Sequence, residues 1–278
     1  MTKYAPGKEE HRAKKKLGQN FLVDPTVCPR IAEKAQIDGI GVLEIGPGFG
    51  ALTSELAKRA AKVVAVEIDP DVIPQLTENL KDFANTEIVQ GDAMEMDLAA
   101  LIRDRFGEMP VAIVGNLPYY ITSPLITRFL LERLPVRSVT VMVQKEAGER
   151  LCAEPGTREC GAVSAAVWYY SVPRMLFTVK PGAFRPRPKV TSCVIRLEIR
   201  EKPAAETDAD LLFRVVRAAF GQRRKTAVNA LSSLLGISKQ TAADAVAETG
   251  LAPEVRAEQI TLDAFAALAE ALRKKENG

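Results

Sequence analysis

Histidine is almost absent from this sequence. Among 278 residues there is one, His11, in a polar leader of mixed charge, MTKYAPGKEEHRAKKK. Paired-histidine metal motifs, Ser-His-Asp triads and Cys-His dyads are therefore excluded, because each needs an imidazole inside a folded site. Cysteine is scarce too. Cys28, Cys152, Cys160 and Cys193 show no CxxC spacing, so four reduced and mostly buried thiols are expected rather than a zinc site or disulfide frame. No run approaches the roughly 18 apolar residues of a membrane helix, and the leader lacks the apolar stretch of a signal peptide. Charge of one sign is not in excess, the formal net charge being only +3. The chain reads as a cytoplasmic protein whose chemistry uses no imidazole, metal or membrane.

What is present is ordered alternation. GVLEIG (41–46), KVVAVEID (62–69), TEIVQGDA (86–93), VAIVGN (111–116) and SVTVMVQ (138–144) are short apolar runs. Between them lie helix-periodic segments such as ALTSELAKRA (51–60), PDVIPQLTENLK from Pro70, and SPLITRFLLERL (123–134). Strand–helix alternation at this pitch predicts an α/β domain with a mostly parallel sheet covered on both faces. TSCVIRLEIR (191–200) suits a last strand. After the polar linker EKPAAETDAD (201–210) every segment is helix-periodic, with Gly236 and Gly250 at expected helix ends. The expected division is a basic N-terminal segment at 1–16, a Rossmann-like domain at 17–202 and a small all-helical domain at 208–278. Three basic islands, RAKKK (12–16), FRPRPKV (184–190) and GQRRKTAVNAL (221–231), point to a nucleic-acid track. The alternative for each island is a solvated surface.

Two stretches carry chemistry. LEIGPGFGALTSEL joins the first strand to the first helix. Gly46, Gly48 and Gly50 allow a tight turn that brings backbone close to a ligand at a helix N-terminus. Glu67 ends the second strand, where a carboxylate can accept from both ribose hydroxyls. Ala51 completes GxGxxA, so a dinucleotide oxidoreductase stays open on this loop alone. Two carboxylates favour S-adenosylmethionine instead. Glu44 precedes the glycines on a strand otherwise apolar and could reach the charged methionine end. Asp92 follows the third strand, where it could accept from an adenine amino group. The second stretch is GNLPYYITSPL (115–125). It is either a strand that stops at a turn or a pocket for a flat group bearing an NH2.

Five motifs in order, GQNFL (18–22), EIGPGFG (44–50), GNLPYYI (115–121), PGAFRPRPKV (181–190) and FGQRRKTAVNAL (220–231), resemble the rRNA adenine N6,N6-dimethyltransferase family. Within it they are most similar to the bacterial enzymes that dimethylate two adjacent adenines near the 3′ end of small-subunit (16S) rRNA. The resemblance spans about residues 12 to 272. It implies a Rossmann-like S-adenosylmethionine-dependent methyltransferase sheet, with the cofactor held at Asn20, Leu22, Gly46, Glu67, Asp92 and Asn116. It implies a substrate pocket from Asn116, Leu117, Pro118, Tyr119 and Phe184. In that pocket the Asn116 side-chain oxygen and the Leu117 carbonyl accept from the adenine amino group, Pro118 stiffens the turn, and Tyr119 and Phe184 stack on the two faces of the base. Phe184, flanked by Gly and Pro, is expected on a loop, while Tyr120 and Trp168 are expected in the core. RNA contacts are expected at Arg185, Arg187, Lys189, Arg223, Arg224 and Lys225, with the 223–225 run on a helix. The partner is small-subunit rRNA within a pre-assembled small ribosomal subunit, the protein acting as a monomer in ribosome biogenesis. Val163 and Trp168 depart from the family pattern and leave the chemistry untouched.

Three other readings compete. A large-subunit rRNA adenine methyltransferase conferring antibiotic resistance fits FRPRPKV and RRKTAVNAL less well. A DNA adenine methyltransferase would carry Asp/Asn-Pro-Pro-Tyr, which Leu117 opposes. A non-catalytic ribosome-assembly factor would not need Glu67, Asp92 and Asn116 together.

Overall fold

The computed structural model describes residues 20–222 and 224–276, so the basic leader and Arg223 lie outside the described residues. In chain order the α/β part comprises β1 (Phe21–Leu22), α1 (Val27–Lys34), β2 (Gly41–Ile45), α2 (Ala51–Ala57), β3 (Lys62–Glu67), α3 (Ile73–Leu80) and β4 (Thr86–Gln90). There follow α4 (Leu98–Phe106), β5 (Val111–Asn116), α5 (Thr122–Leu131), β6 (Ser138–Gln144), α6 (Lys145–Cys152), α7 (Ala162–Tyr170), β7 (Ser171–Val179), β8 (Phe184–Arg185) and β9 (Ser192–Ile199). Strands β2, β3, β5 and β6 are buried along nearly their whole length. That is the burial of parallel strands covered on both faces, and it explains why their sequences are continuous apolar runs without alternation.

Seven strands form one sheet in the order β4-β3-β2-β5-β6-β9-β7. Pairs β2–β3, β3–β4, β2–β5 and β5–β6 are parallel, and β9 runs antiparallel to β6 with Gln144 opposite Ser192. The chain adds strands to one side as far as β4 and then crosses back to β5, so the strand order reverses between β2 and β5. In open α/β sheets the crevice at such a reversal, beyond the carboxyl ends of the strands, is the ligand site.

Several details depart from expectation. Helix α3 starts at Ile73, with Pro74 in its first turn, because Asp69–Val72 close a turn through Val72 N–H on the Asp69 carbonyl at 3.2 Å. Strand β7 was not foreseen; its pattern mixes buried and exposed positions and contains Pro173. The four cysteines are free thiols, three of them buried, and burial pushes Cys28 up to about 12.

The chain divides into two compact units. The first holds the described residues up to Gly148 together with Arg174–Ile199. The second holds Glu149–Pro173 and the chain from Arg200 onward. This corrects the expected boundary, since residues 149–173 were assigned to the Rossmann-like domain. The reason is packing. In the second unit Ala165, Ala166 and Tyr169 of α7 share one core with Leu212, Phe213 and Val216. The Tyr169 ring meets Phe213 edge-on at 5.3 Å, and its hydroxyl donates to the Thr207 carbonyl at 3.3 Å. Tyr169 fills the position expected for Trp168, which is only half-buried and donates its indole N–H to the Cys152 carbonyl.

The remaining helices of the second unit are α8 (Ala209–Phe220), α9 (Ala227–Leu235), α10 (Lys239–Glu248) and α11 (Leu262–Glu276). Asp208, Thr226 and Ser238 cap α8, α9 and α10 through side-chain oxygens that accept backbone N–H groups. Gly236 ends α9 in the left-handed conformation.

Candidate active site

The strand reversal sets the Gly46 loop beside Asn116. Ile45 at the end of β2 is paired with Gly115 near the end of β5. A Cβ on Gly115 would lie 2.6 Å from the Ile45 carbonyl oxygen, so the two strand ends approach this closely only with glycine there. Gly46 then turns away with φ +73°, in the left-handed region. The glycine loop is held from below by Glu67, which is 5% exposed. Gly48 N–H donates to Glu67 Oε2 at 3.1 Å and Asp69 N–H donates to Oε1 at 2.9 Å. Burial raises the Glu67 pKa, and these two backbone bonds oppose the rise. Each carboxylate oxygen keeps a further lone pair for a ligand hydroxyl.

Beneath the same loop lies Glu44, fully buried on β2. Among the described residues no hydrogen bond reaches either of its carboxyl oxygens or Thr53 Oγ1. Burial pushes Glu44 up to about 8; Thr53 opposes the shift without closing a hydrogen bond, and the charge of Glu67 adds to it. A buried carboxyl without a partner is costly. Glu44 does not line the cleft, so any effect of its carboxyl on a cationic group there would act through charge rather than contact.

The second wall is the turn after β5. Asn116 donates its side-chain N–H to the Asn20 carbonyl at 3.1 Å. A carbonyl can only accept, so this bond assigns the amide nitrogen and leaves Asn116 Oδ1 as an acceptor with no hydrogen bond among the described residues. The Pro118 carbonyl is occupied by Ile121 N–H at 3.1 Å and Thr122 Oγ1 at 3.2 Å. The Leu117 carbonyl receives no hydrogen bond among the described residues, although Leu117 N–H is tied to the Met142 carbonyl at 3.2 Å. Tyr119 is half-buried, and its hydroxyl shares a 2.8 Å hydrogen bond with Ser192 Oγ at the start of β9. Tyr120, expected in the core, is 57% exposed.

One cleft in the first unit gathers most of the sequence-predicted residues. Asn20, Leu22, Gly46, Glu67, Asn116, Leu117, Pro118 and Tyr119 all line it. Sequence reasoning missed Phe21, Phe49 and Ile68, which line it as well. Phe21 and Phe49 pack with ring centroids 4.7 Å apart; the signal available was an aromatic inside each glycine-bearing motif.

Asp92 is not a lining residue. It begins the loop after β4, where Gly91 N–H donates to the Glu67 carbonyl at 2.9 Å, placing it beside the Glu67 strand end. Its Oδ1 accepts from Met94 N–H at 2.8 Å. Phe184 is not a lining residue either. It lies in strand β8, not on a loop, opposite Leu22, and is 2% exposed. Gly and Pro around it shape the backbone without exposing the ring. Arg185, Arg187 and Lys189 are exposed in the first unit. In the second unit Arg224 and Lys225 are exposed in the turn before α9, not on a helix.

Comparison with known proteins adds to this geometry. A family profile described as ribosomal RNA adenine dimethylase matches residues 10–274. The ribosomal RNA small subunit methyltransferase A of Alkaliphilus oremlandii is 43% identical, over 99% of this chain and 96% of that protein. Its namesake from Bacillus mycoides is 46% identical, over 93% of this chain and 91% of that protein. Among solved structures, a dimethyladenosine transferase from Plasmodium falciparum superposes with a TM-score of 0.76 at 25% identity, over 92% of this chain and 98% of that one. The 23S rRNA methyltransferase ErmE gives 0.70 at 29% identity, over 91% and 100%. With a full-length family match and a cleft built from that family's motifs, this chain belongs to the ribosomal RNA adenine dimethylases.

Proposed function

We infer that this chain is an rRNA adenine dimethyltransferase that methylates N6 of two adjacent adenines in small-subunit rRNA, with S-adenosylmethionine as donor, during small-subunit biogenesis. The family and the names of the 43–46% identical relatives support the small-subunit assignment over the large-subunit one. The fold alone does not separate them, since ErmE shares it.

The residues present fit the cofactor. Glu67 would accept from its ribose hydroxyls, and Asp92, through the oxygen not used by Met94, from its adenine amino group. The partnerless carboxyl of Glu44 would act on its cationic methionine end through charge rather than contact. When bound, S-adenosylmethionine supplies a methyl group already activated on a sulfonium.

The single observation that carries the chemistry is the amide of Asn116, held through its N–H on the Asn20 carbonyl, in a cleft that Leu117 also lines and where neither Asn116 Oδ1 nor the Leu117 carbonyl accepts a hydrogen bond among the described residues. An adenine N6 is a poor nucleophile because its lone pair is delocalised into the ring. Two acceptors on its two N–H groups favour a pyramidal nitrogen with a localised pair. Their hydrogen bonds strengthen as the reaction proceeds, so they act on the transition state. Tyr119 offers a face for stacking, roughly 1–3 kcal/mol per base. With Phe184 buried, this conformation supports stacking from one side only. Residues 116–121 carry no carboxylate or imidazole to take a proton, so the N6 proton would pass to water. Arg185, Arg187, Lys189, Arg224 and Lys225 would meet rRNA phosphates, and the substrate would be a pre-assembled small subunit engaged by one copy of the chain.

The test is methyl transfer from labelled S-adenosylmethionine to purified small subunits lacking the modification, with large subunits in parallel. Dimethylation of adjacent small-subunit adenines is expected. Label confined to large-subunit RNA would reassign the substrate, and tight small-subunit binding without transfer would make the chain an assembly factor.

A further inference from the structure

We propose that Arg128 is a positioning residue that ties the target-base loop to the loop that reads the cofactor's adenine. Helix α5 begins directly after the base loop and is anchored to it, with Ile121 N–H and Thr122 Oγ1 both on the Pro118 carbonyl. Arg128 lies on the same helix, its side chain only 16% exposed. Its guanidinium donates to the Ala93 carbonyl through Nη1 at 2.6 Å and to the Met96 carbonyl through Nη2 at 2.6 Å. Its Nε donates to Glu132 Oε1 at 2.6 Å, one helical turn on. The planar fork therefore clamps both ends of the short turn that starts at Asp92.

That turn is otherwise thinly held. Glu95 and Met96 N–H donate to the Asp92 carbonyl, each at 2.9 Å. Asp92 Oδ1 accepts from Met94 N–H. These are local bonds that fold the turn on itself without fixing where it points. Besides the pairing of Gly91 with Glu67, Arg128 supplies the long-range charged anchor, and charge-assisted bonds from a buried guanidinium are the strong kind. Helix α5 thus sets the position of the adenine-binding carboxylate relative to Asn116. The inference rests on the reading that Asp92 accepts from the cofactor's adenine.

The test uses the full chain and two product-like ligands, S-adenosylhomocysteine and S-inosylhomocysteine. The second has a carbonyl where the first has the 6-amino donor, so the ratio of their dissociation constants reports whether Asp92 is in place. Calorimetry would be run on the native chain, Arg128→Met, Arg128→Lys and Asp92→Ala. Arg128→Met should weaken S-adenosylhomocysteine by about tenfold, the equivalent of one or two hydrogen bonds, and bring the ratio close to one. Arg128→Lys, a point charge that cannot fork, should fall between.

Arg196→Met serves as a control for stability alone. Arg196 is another nearly buried arginine of the first unit, bonded to the Ala35 carbonyl and paired with Glu198. It should lower the melting temperature and leave the ratio unchanged. If Asp92→Ala abolishes the ratio and Arg128→Met keeps it, Arg128 merely braces the helix and the proposal is wrong. If Asp92→Ala itself keeps the ratio, the adenine reading fails and takes the proposal with it. Should Arg128→Met not fold, the lysine variant decides. Faster hydrogen exchange at the Glu95 and Met96 amides together with a reduced ratio supports the proposal, and native values of both overturn it.

Discussion

The two walls of the cleft are built on opposite plans. On the proposed cofactor side the ribose-facing carboxylate is engaged before any ligand arrives: both oxygens of Glu67 hold backbone N–H groups. On the proposed base side two acceptors, Asn116 Oδ1 and the Leu117 carbonyl, receive no hydrogen bond among the described residues, while their neighbours are tied down. A cofactor that returns in every cycle is served by a rigid seat. A base that must be pulled from its stack needs contacts that form only when it arrives. On the proposed roles, binding energy on the first wall would lower the dissociation constant, and on the second it would lower the barrier.

The comparison can be broken most severely through Phe184, which is buried opposite Leu22 and so belongs under the cofactor wall. Phe184→Ala should cost about 3–5 kcal/mol of stability, and Phe184→Tyr should also destabilise by placing a hydroxyl among the buried apolar residues of its cluster. Thermal melting checks both. An unchanged melting temperature with lost turnover would move Phe184 to the base wall. Asn116→Ala comes next. Its single-turnover rate should fall by about 10²–10³, the loss seen when one preorganised donor or acceptor is removed, with much smaller changes in cofactor and RNA affinity. Equal losses in rate and affinity would erase the distinction between the walls.

Glu67→Ala should weaken S-adenosylmethionine by about 1.5–3 kcal/mol, measured by calorimetry, by removing charge-assisted hydrogen bonds. NADH should bind to neither form, and micromolar NADH affinity would return the glycine loop to the oxidoreductase reading.

The last effect shows only against pH and concerns Glu44, whose pKa is raised from 4.5 to about 8 by burial. Below the lower value both folded and unfolded chains hold the proton. Between the two values the unfolded chain releases it and the folded chain keeps it, so stability falls as pH rises, and above about 8 the loss is complete. Glu44→Gln should remove that slope. Melting scans should then show little change at pH 5 and a gain at pH 8 of about 2–4 °C for each kcal/mol recovered. A parallel shift at both pH values would mean that Glu44 is ionised in the folded chain.

Much of the first unit could be read from the sequence because parallel strands and glycine turns leave local marks. The β2–loop–α2 passage and Glu67 at the end of β3 were placed by spacing alone, and the structure brings them together. What escaped was decided by partners distant in the chain. The orientation of Asn116 depends on Asn20, 96 positions earlier. The burial of Phe184 depends on pairing with Leu22, while Gly and Pro beside it suggested a loop. Tyr120 was expected inside because aromatics usually are, yet the turn that buries Leu117 faces it outward. The apolar helix α7 carries no mark of which core it joins, and it joined the helical one.

The reversed strand β9 has a consequence for how this architecture can change. Every parallel strand offers the ligand edge of the sheet only the loop that follows it. Because Ser192 of β9 lies opposite Gln144 at the carboxyl end of β6, β9 offers the loop that precedes it, and that loop follows Arg185 of β8 and carries Arg187 and Lys189. The rim beside the Asn116 turn is thus a segment outside the strand–helix units of the sheet, and it runs into Ser192 of β9, whose hydroxyl pairs with that of Tyr119. Insertions between 186 and 190 would lengthen that rim without entering β2, the glycine loop or α2.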